Sequence, residues 1–279
     1  MSKGASPPLS SRLNNMLDAD IKHQLSSHIA KFDHLAISLM PQNIQKSIYV
    51  LYSFFAELDG LAAQVSEPML GEIRCQWWRD VITQKQAQSP LAEALLAAIE
   101  QNNWPEKALL DLIDAKIFDL YADPMDNKAS FEAYAGHTYS TLLQLTATAI
   151  DPLAAKQFAN VSGHLGVAFT VAKSLTYLKV HQSRGQIFIP SDILKSIEVS
   201  DPQSLRSFTQ FGLDHYQQAK QHLDNKKLFP AILPLIRAKL ILTNAQNLGD
   251  DIYKKLETIS PSQLSFQWQL IKTNIFKKI

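Results

Sequence analysis

Proline pairs punctuate this chain at helical intervals, and they constrain its fold more than any other feature. Proline fits the first turn of a helix, where a missing N–H costs nothing, and a Ser or Asp just before it can accept from the free amides there. Ser89-Pro90, Asp151-Pro152, Asp201-Pro202 and Ser260-Pro261 carry that signature, and Glu67-Pro68 and Trp104-Pro105 are further starts. Between these points the apolar residues step by three and four. Ile48, Leu51, Tyr52, Phe55, Leu58 and Ala62 fall on one helical face. So do Leu109, Leu112, Ile113, Ile117 and Leu120, a stripe that Lys116 interrupts. Leu142, Leu143, Leu145 and Ile150 form another, and Val161, Leu165, Ala168, Ala172 and Leu175 one more. The only short extended candidate is Gln186 to Pro190. Nine glycines in 279 residues leave few positions for the tight turns of a sheet. The expected fold is an all-α, single-domain bundle of about ten helices. It covers residues 21–279, behind a flexible, Ser/Pro-rich tail at residues 1–20.

Composition removes several function classes. Apolar residues at 46% support a core, and charged residues at 19% argue against disorder. A net charge of +1 gives no field to draw the chain to nucleic acid. One cysteine excludes a disulfide framework and a thiolate zinc site. No run approaches ~18 uninterrupted apolar residues, so the chain is expected to be soluble and intracellular. Lys3 and Arg12 are few cations for an organelle leader.

Common catalytic signatures are missing too. There is no Gly-rich phosphate loop, no G-x-S-x-G elbow and no H-E-x-x-H. Ser162-Gly163-His164 reads as helix packing. His23, His28 and His34 spread around a helix, and His215 and His222 sit two turns apart on a solvated face. Cys75, among Ile73, Trp77 and Trp78, reads as a small packing residue. Asp111, Asp114, Asp119 and Asp123 taken alone form a solvated acidic face. Asp59 differs, because it follows a long apolar stripe. A carboxylate buried there without a partner would cost several kcal/mol.

Residues 161–190, VSGHLGVAFTVAKSLTYLKVHQSRGQIFIP, resemble the last conserved block of the squalene/phytoene synthase family, L-G-x-A-x-Q-x-T-N-I-L-R-D-V-G-E-D-x-x-x-G-R-x-Y-L-P. Leu165, Gly166, Ala168, Leu175, Gly185, Phe188 and Pro190 hold its frame without a gap. IYVLYSFFAELDGLAAQ (48–64) is similar to the first block, A-I-Y-x-x-C-R-x-x-D-[DE]-x-x-D, and Met40-Pro41, Asp119 and Tyr134 also fall at family-like positions. The resemblance spans roughly residues 30–240 and implies an all-α isoprenoid-synthase fold. In that family two Asp-rich motifs hold Mg²⁺ against a prenyl diphosphate, neutralising the leaving group as the allylic bond ionises. Here the first D-x-x-x-D position reads Asp59 and Ala63, and the second reads Tyr177 and His181. The family's Gln, Asn and Arg positions hold Thr170, Lys173 and Thr176, and the arginine before the first motif falls on Ala56 or Glu57. The resemblance therefore implies a vestigial diphosphate site at Asp59, Ala63, Asp119, Tyr134, Lys173, Tyr177 and His181, with no catalytic residue, metal or cofactor assigned. Mg²⁺ enters only under the alternative, an active prenyl-diphosphate transferase with a rearranged site.

One degenerate branch of the family, the phytoene-synthase-like assembly factor of respiratory complex I, offers nearer blocks. SEPMLGEIRCQWWRDVI (66–82) is similar to its S-E-x-x-I-G-x-x-R-x-Q-F-W, and FEAYAGHTYSTLLQLT (131–146) to its E-x-Y-A-x-x-T-x-S-S-L-L-x-L-T. Ser183 to Pro190 resembles its S-R-R-x-V-F-L-P. The partners this implies are complex I subunits or assembly proteins, with an isoprenoid or lipid as a further ligand. Glu72, Arg74 and Arg79 read as surface pairs or partner contacts. Adjacent Trp77 and Trp78 point about 100° apart, so one of them is a candidate protein contact. Beyond Glu257 the chain has three lysines and no acid, interleaved with Phe266, Trp268, Leu270, Ile271, Ile275, Phe276 and Ile279. That segment reads either as a helix closing the bundle or as a weak peripheral membrane contact through Trp268. The expected compartment is bacterial cytoplasm with membrane association, the alternative the mitochondrial matrix.

Overall fold

The computed structural model describes residues 29–196 and 198–277. The tail at residues 1–20, His23, His28, Lys278 and Ile279 lie outside the described residues. The chain is all-α, as its punctuation requires, with no strand among the described residues. It forms two compact units, one ending at Ile117 and one beginning at Phe118.

The first unit contains α1 (Lys31–Ser38), α2 (Gln42–Gln64), α3 (Pro68–Gln84), α4 (Pro90–Asn102) and α5 (Glu106–Ile117). Ser89 caps α4 by accepting from the Ala92 amide at 3.2 Å, with Pro90 in the first turn. Pro68 opens α3 in the same way, after an extended Glu67. Helix α2 buries nearly every residue from Ile48 to Phe55, and the small residues Ala94, Ala97 and Ala98 bring α4 against it. Asn103 and Lys85 end α4 and α3 in the left-handed region, at φ 49° and 58°.

In the second unit, α6 (Lys128–Ala135) runs through a π-helical turn (Gly136–Ser140) into α7 (Thr141–Ile150). After these come α8 (Pro152–Ala155), α9 (Ala159–Thr176), α10 (Leu178–Ser183), α11 (Pro202–His222), α12 (Phe229–Ile232), α13 (Arg237–Leu248) and α14 (Gln263–Phe276), with short 3-10 turns between some of them. Asp151 caps α8 through the Leu153 and Ala154 amides, and Asp201 caps α11 through that of Ser204 at 2.7 Å. The fourth expected start moves: Ser262, not Ser260, caps α14 by accepting from Ser265 at 3.2 Å. The short extended candidate Gln186 to Pro190 is irregular and pairs with no strand.

Helix α9 is the axis of this unit, packed on α11, α13 and the π turn. Two glycines set the spacing. A Cβ on Gly166 would lie 2.1 Å from Ser140 Oγ and 2.7 Å from Ser140 N. A Cβ on Gly212 would lie 2.9 Å from Val171 Cγ1 and 3.0 Å from Leu242 Cδ2.

Candidate functional site

Helix α2 carries Asp59 near its C-terminal end, past the apolar run that anchors it. Its Oδ1 accepts from Lys116 Nζ at 2.8 Å. The lysine side chain is fully buried and lies 5.8 Å from the Phe55 ring centroid, whereas the Asp59 side chain keeps 23% of its exposure. The carboxylate that demanded a partner has found it in the residue that interrupts the α5 stripe, 57 positions away. Sequence reading missed Lys116; the signal was there, a charge in the middle of a buried helical face. One turn further, Ala63 is exposed and brings no polar atom. Glu57 accepts from the Trp78 indole N–H at 3.1 Å.

The paired tryptophans separate as their spacing requires. Trp78 is fully buried and stacks edge-on against Phe54, 4.8 Å between centroids, so it is a core residue and no surface contact. Trp77 is half-buried, and the exposed Arg74 guanidinium lies 5.8 Å from its ring. Arg79 bonds to Asp114 on α5, an inter-helix link, and also donates to Gln76 one turn earlier at 3.3 Å. Cys75 is buried, which pushes its thiol above the ordinary range and makes it a packing residue.

In the second unit the chain leaves helical geometry after Ile117, and the 3-10 turn Phe118–Leu120 turns Asp119 inward. Asp119 is buried, unlike the solvated face expected of it. Its Oδ1 accepts from the Tyr134 hydroxyl at 2.7 Å, and its backbone carbonyl accepts from the buried Gln186 amide. Tyr134 and Phe188 stand 5.8 Å apart, each also against Phe118, and the His181 ring packs 4.7 Å from Phe188. Asp119, Tyr134 and His181 therefore share one aromatic cluster. Tyr177 is exposed at the α9–α10 junction, with its ring 6.2 Å from His181. Lys173, half-buried one turn earlier, places its ammonium 5.4 Å from the Tyr139 ring centroid. Lys179 is solvent-facing and lies 3.8 Å from Glu257.

An Mg²⁺ site needs several carboxylate oxygens converging on one point. Asp59 meets a lysine and Asp119 meets a tyrosine. Among the described residues no three His, Cys, Asp or Glu side chains are grouped so as to hold a metal ion. Such a grouping is what the metal pair implied by the family resemblance would need.

The squalene/phytoene synthase profile matches residues 30–271. The complex I assembly factor 6 of NADH dehydrogenase (ubiquinone) from rat is 28% identical over 258 residues, covering 84% of this chain and 77% of that one. The human protein of the same name is 27% identical over the same length, with the same coverage. Among solved structures, the squalene synthase HpnC from Alicyclobacillus acidocaldarius superposes with a TM-score of 0.71 at 17% identity, covering 86% of this chain and 96% of its own. A ligand-bound dehydrosqualene synthase superposes at 0.74 and 13% identity, covering 96% and 99%. These likenesses carry the fold, and the profile match runs through both compact units. The chain belongs to the squalene/phytoene synthase family.

Proposed function

We propose that this chain is a non-catalytic member of its family, an assembly factor acting on respiratory complex I. The observation that carries this reading is the ion pair between Asp59 and the buried Lys116. A carboxylate neutralised by a fixed internal cation has little charge left to hold Mg²⁺, and the residue one turn on, Ala63, supplies no ligand. At the second motif Tyr177 and His181 stand where the family has acids. Without metal, the charge developing on a departing diphosphate loses stabilisation worth several orders of magnitude in rate. The names of the mammalian relatives support the assembly role. Its partners are then complex I subunits or other assembly proteins, met on the bacterial cytoplasmic side or in the mitochondrial matrix. An isoprenoid or other lipid is a further candidate ligand.

Calorimetric titration with farnesyl and geranylgeranyl diphosphate, with and without Mg²⁺, tests the first half of this reading. Binding is expected to be absent or indifferent to metal, with no product. Metal-dependent binding with release of diphosphate would overturn it and restore a prenyltransferase. The second half is tested by deleting the gene in its own host and measuring assembled complex I on native gels. Normal complex I levels would remove the assembly role.

A further inference from the structure

Helix α3 turns Gly71, Cys75, Trp78 and Ile82 inward and packs on α5. Its outer side is apolar too. Met69, Leu70, Ile73 and Trp77 fall within about 100° around the helix axis. The first three are 70%, 50% and 61% exposed, and Trp77 is half-buried. Together they present an apolar patch on the order of 400 Å², a size at which surface patches are often functional. Helix α14 likewise leaves Leu264, Trp268, Ile271 and Ile275 exposed while Phe266 and Leu270 turn inward. There Lys272 is the one charged residue between Pro261 and Phe276, and nothing beside it chooses an occupant.

On α3 the borders do choose. Helical spacing puts Glu72 along one edge of the stripe and Arg74 along the other, with Asp80 at its C-terminal end. Acids on two sides disfavour an anionic lipid surface. A second copy crossing antiparallel would set like charges against each other along both edges. A foreign helix with the opposite signs meets neither difficulty. The residue types suit such a partner, since Trp and Arg dominate the energetic centres of protein contacts and Met adapts its shape to what it meets. Arg74 is already placed for it, its guanidinium 5.8 Å from the Trp77 ring centroid. From these residues we infer that the outer face of α3 docks an amphipathic helix of another protein, with an acid where it passes Arg74 and a base where it passes Glu72. The two sides together would bury ~800–1,000 Å², the low end of specific contacts, as fits a partner held only in passing. The inference rests on the assembly reading and names the surface that serves it.

It is tested in a host deleted for the gene, with the full chain returned on a plasmid and complex I read on native gels. If the deletion itself leaves complex I normal, the assembly reading falls, and this inference with it. If the natural chain restores complex I, the variants judge the surface alone. M69D/I73D changes two exposed side chains, should melt like the natural chain, and should restore less than about a tenth of the complex I. R74E, which removes no apolar contact from the core, should restore about a third or less. L153D, an equally exposed apolar position on α8, should restore it fully. Photocrosslinking from p-benzoylphenylalanine at position 73 should join the chain to a helical peptide of a complex I subunit or assembly protein. Full restoration by M69D/I73D and R74E overturns the inference, as does an equal loss from L153D. So does a crosslink from position 73 to lipid, to a second copy of the chain or to nothing.

Discussion

Replacing Asp59 by Asn tests the ion pair on which the functional reading rests. At 2.8 Å the gross attraction is about 6 kcal/mol at an effective dielectric of ~20, and dehydrating two ions offsets most of it. The pair as a whole therefore adds little, but breaking it is costly, and unequally so. Asp59→Asn leaves a fully buried ammonium facing a neutral amide, a loss of about 3–5 kcal/mol. Lys116→Met leaves a carboxylate that still reaches water, so the loss is smaller, roughly 1–3 kcal/mol. The double variant replaces both charges and should return to within about 2 kcal/mol of the natural chain. Urea melts followed by circular dichroism at neutral pH, with and without Mg²⁺ and pyrophosphate, measure all three. The natural chain should gain no stability from the additions, since a ligand stabilises only through a site it can occupy. A loss below ~1 kcal/mol for Asp59→Asn would refute the reasoning, as would a larger loss for Lys116→Met. So would a metal-dependent rise in the midpoint that Asp59→Asn abolishes, because Asp59 would then be a ligand.

Gly166→Ala places a Cβ against the Ser140 backbone, which cannot yield as a flexible side chain does, and should cost roughly 2–4 kcal/mol by chemical denaturation. Tyr134→Phe removes the hydroxyl that Asp119 accepts, with an expected loss of about 1.5–3 kcal/mol in the same assay. The third concerns acid sensitivity. His164 and His215 approach through their Nδ1 atoms at 3.0 Å, where one proton must be shared, with Glu132 3.3 Å from His215 Nε2 and the His222 ring stacked on His164. Burial, more than any neighbouring charge, pushes both imidazoles below the usual histidine range, although Glu132 pulls each the other way. The unfolded chain then binds more protons than the folded one, so stability is full above about pH 6.5 and falls as the pH drops from there through the lowered folded values. Melting temperatures should decline on that acid side, and the slope should flatten in His164→Phe; an unchanged slope would show that these two groups do not govern it.

Local chemistry made much of this legible. Ser89, Asp151 and Asp201 cap where their prolines said they would, because a cap involves only neighbours within three residues. Around Pro261 two serines could cap, and local pattern does not choose between Ser260 and Ser262. The site was harder. Periodicity put Asp119 on a solvated face with Asp111 and Asp114, since no Gly or Pro announces that the helix tightens after Ile117. That Asp59 needs a partner followed from its position; that the partner is Lys116 depends on a helix packing 57 residues away. The interleaved residues of the last helix were visible, while which of them faced inward depended on the unit they pack against.

The π turn at Gly136–Ser140 bears on how this segment would align with any chain that lacks it. Such a turn holds one more residue than an α turn, so it behaves as an insertion that the helix absorbs without breaking. It rotates everything downstream by about 100° relative to everything upstream. Tyr134, bonded to Asp119, lies on one side of it, and Ser140, against which Gly166 is seated, ends it. A homologue with one residue fewer between these positions would need a single gap placed inside a continuous helix, and it would keep one of these two contacts in register at the expense of the other.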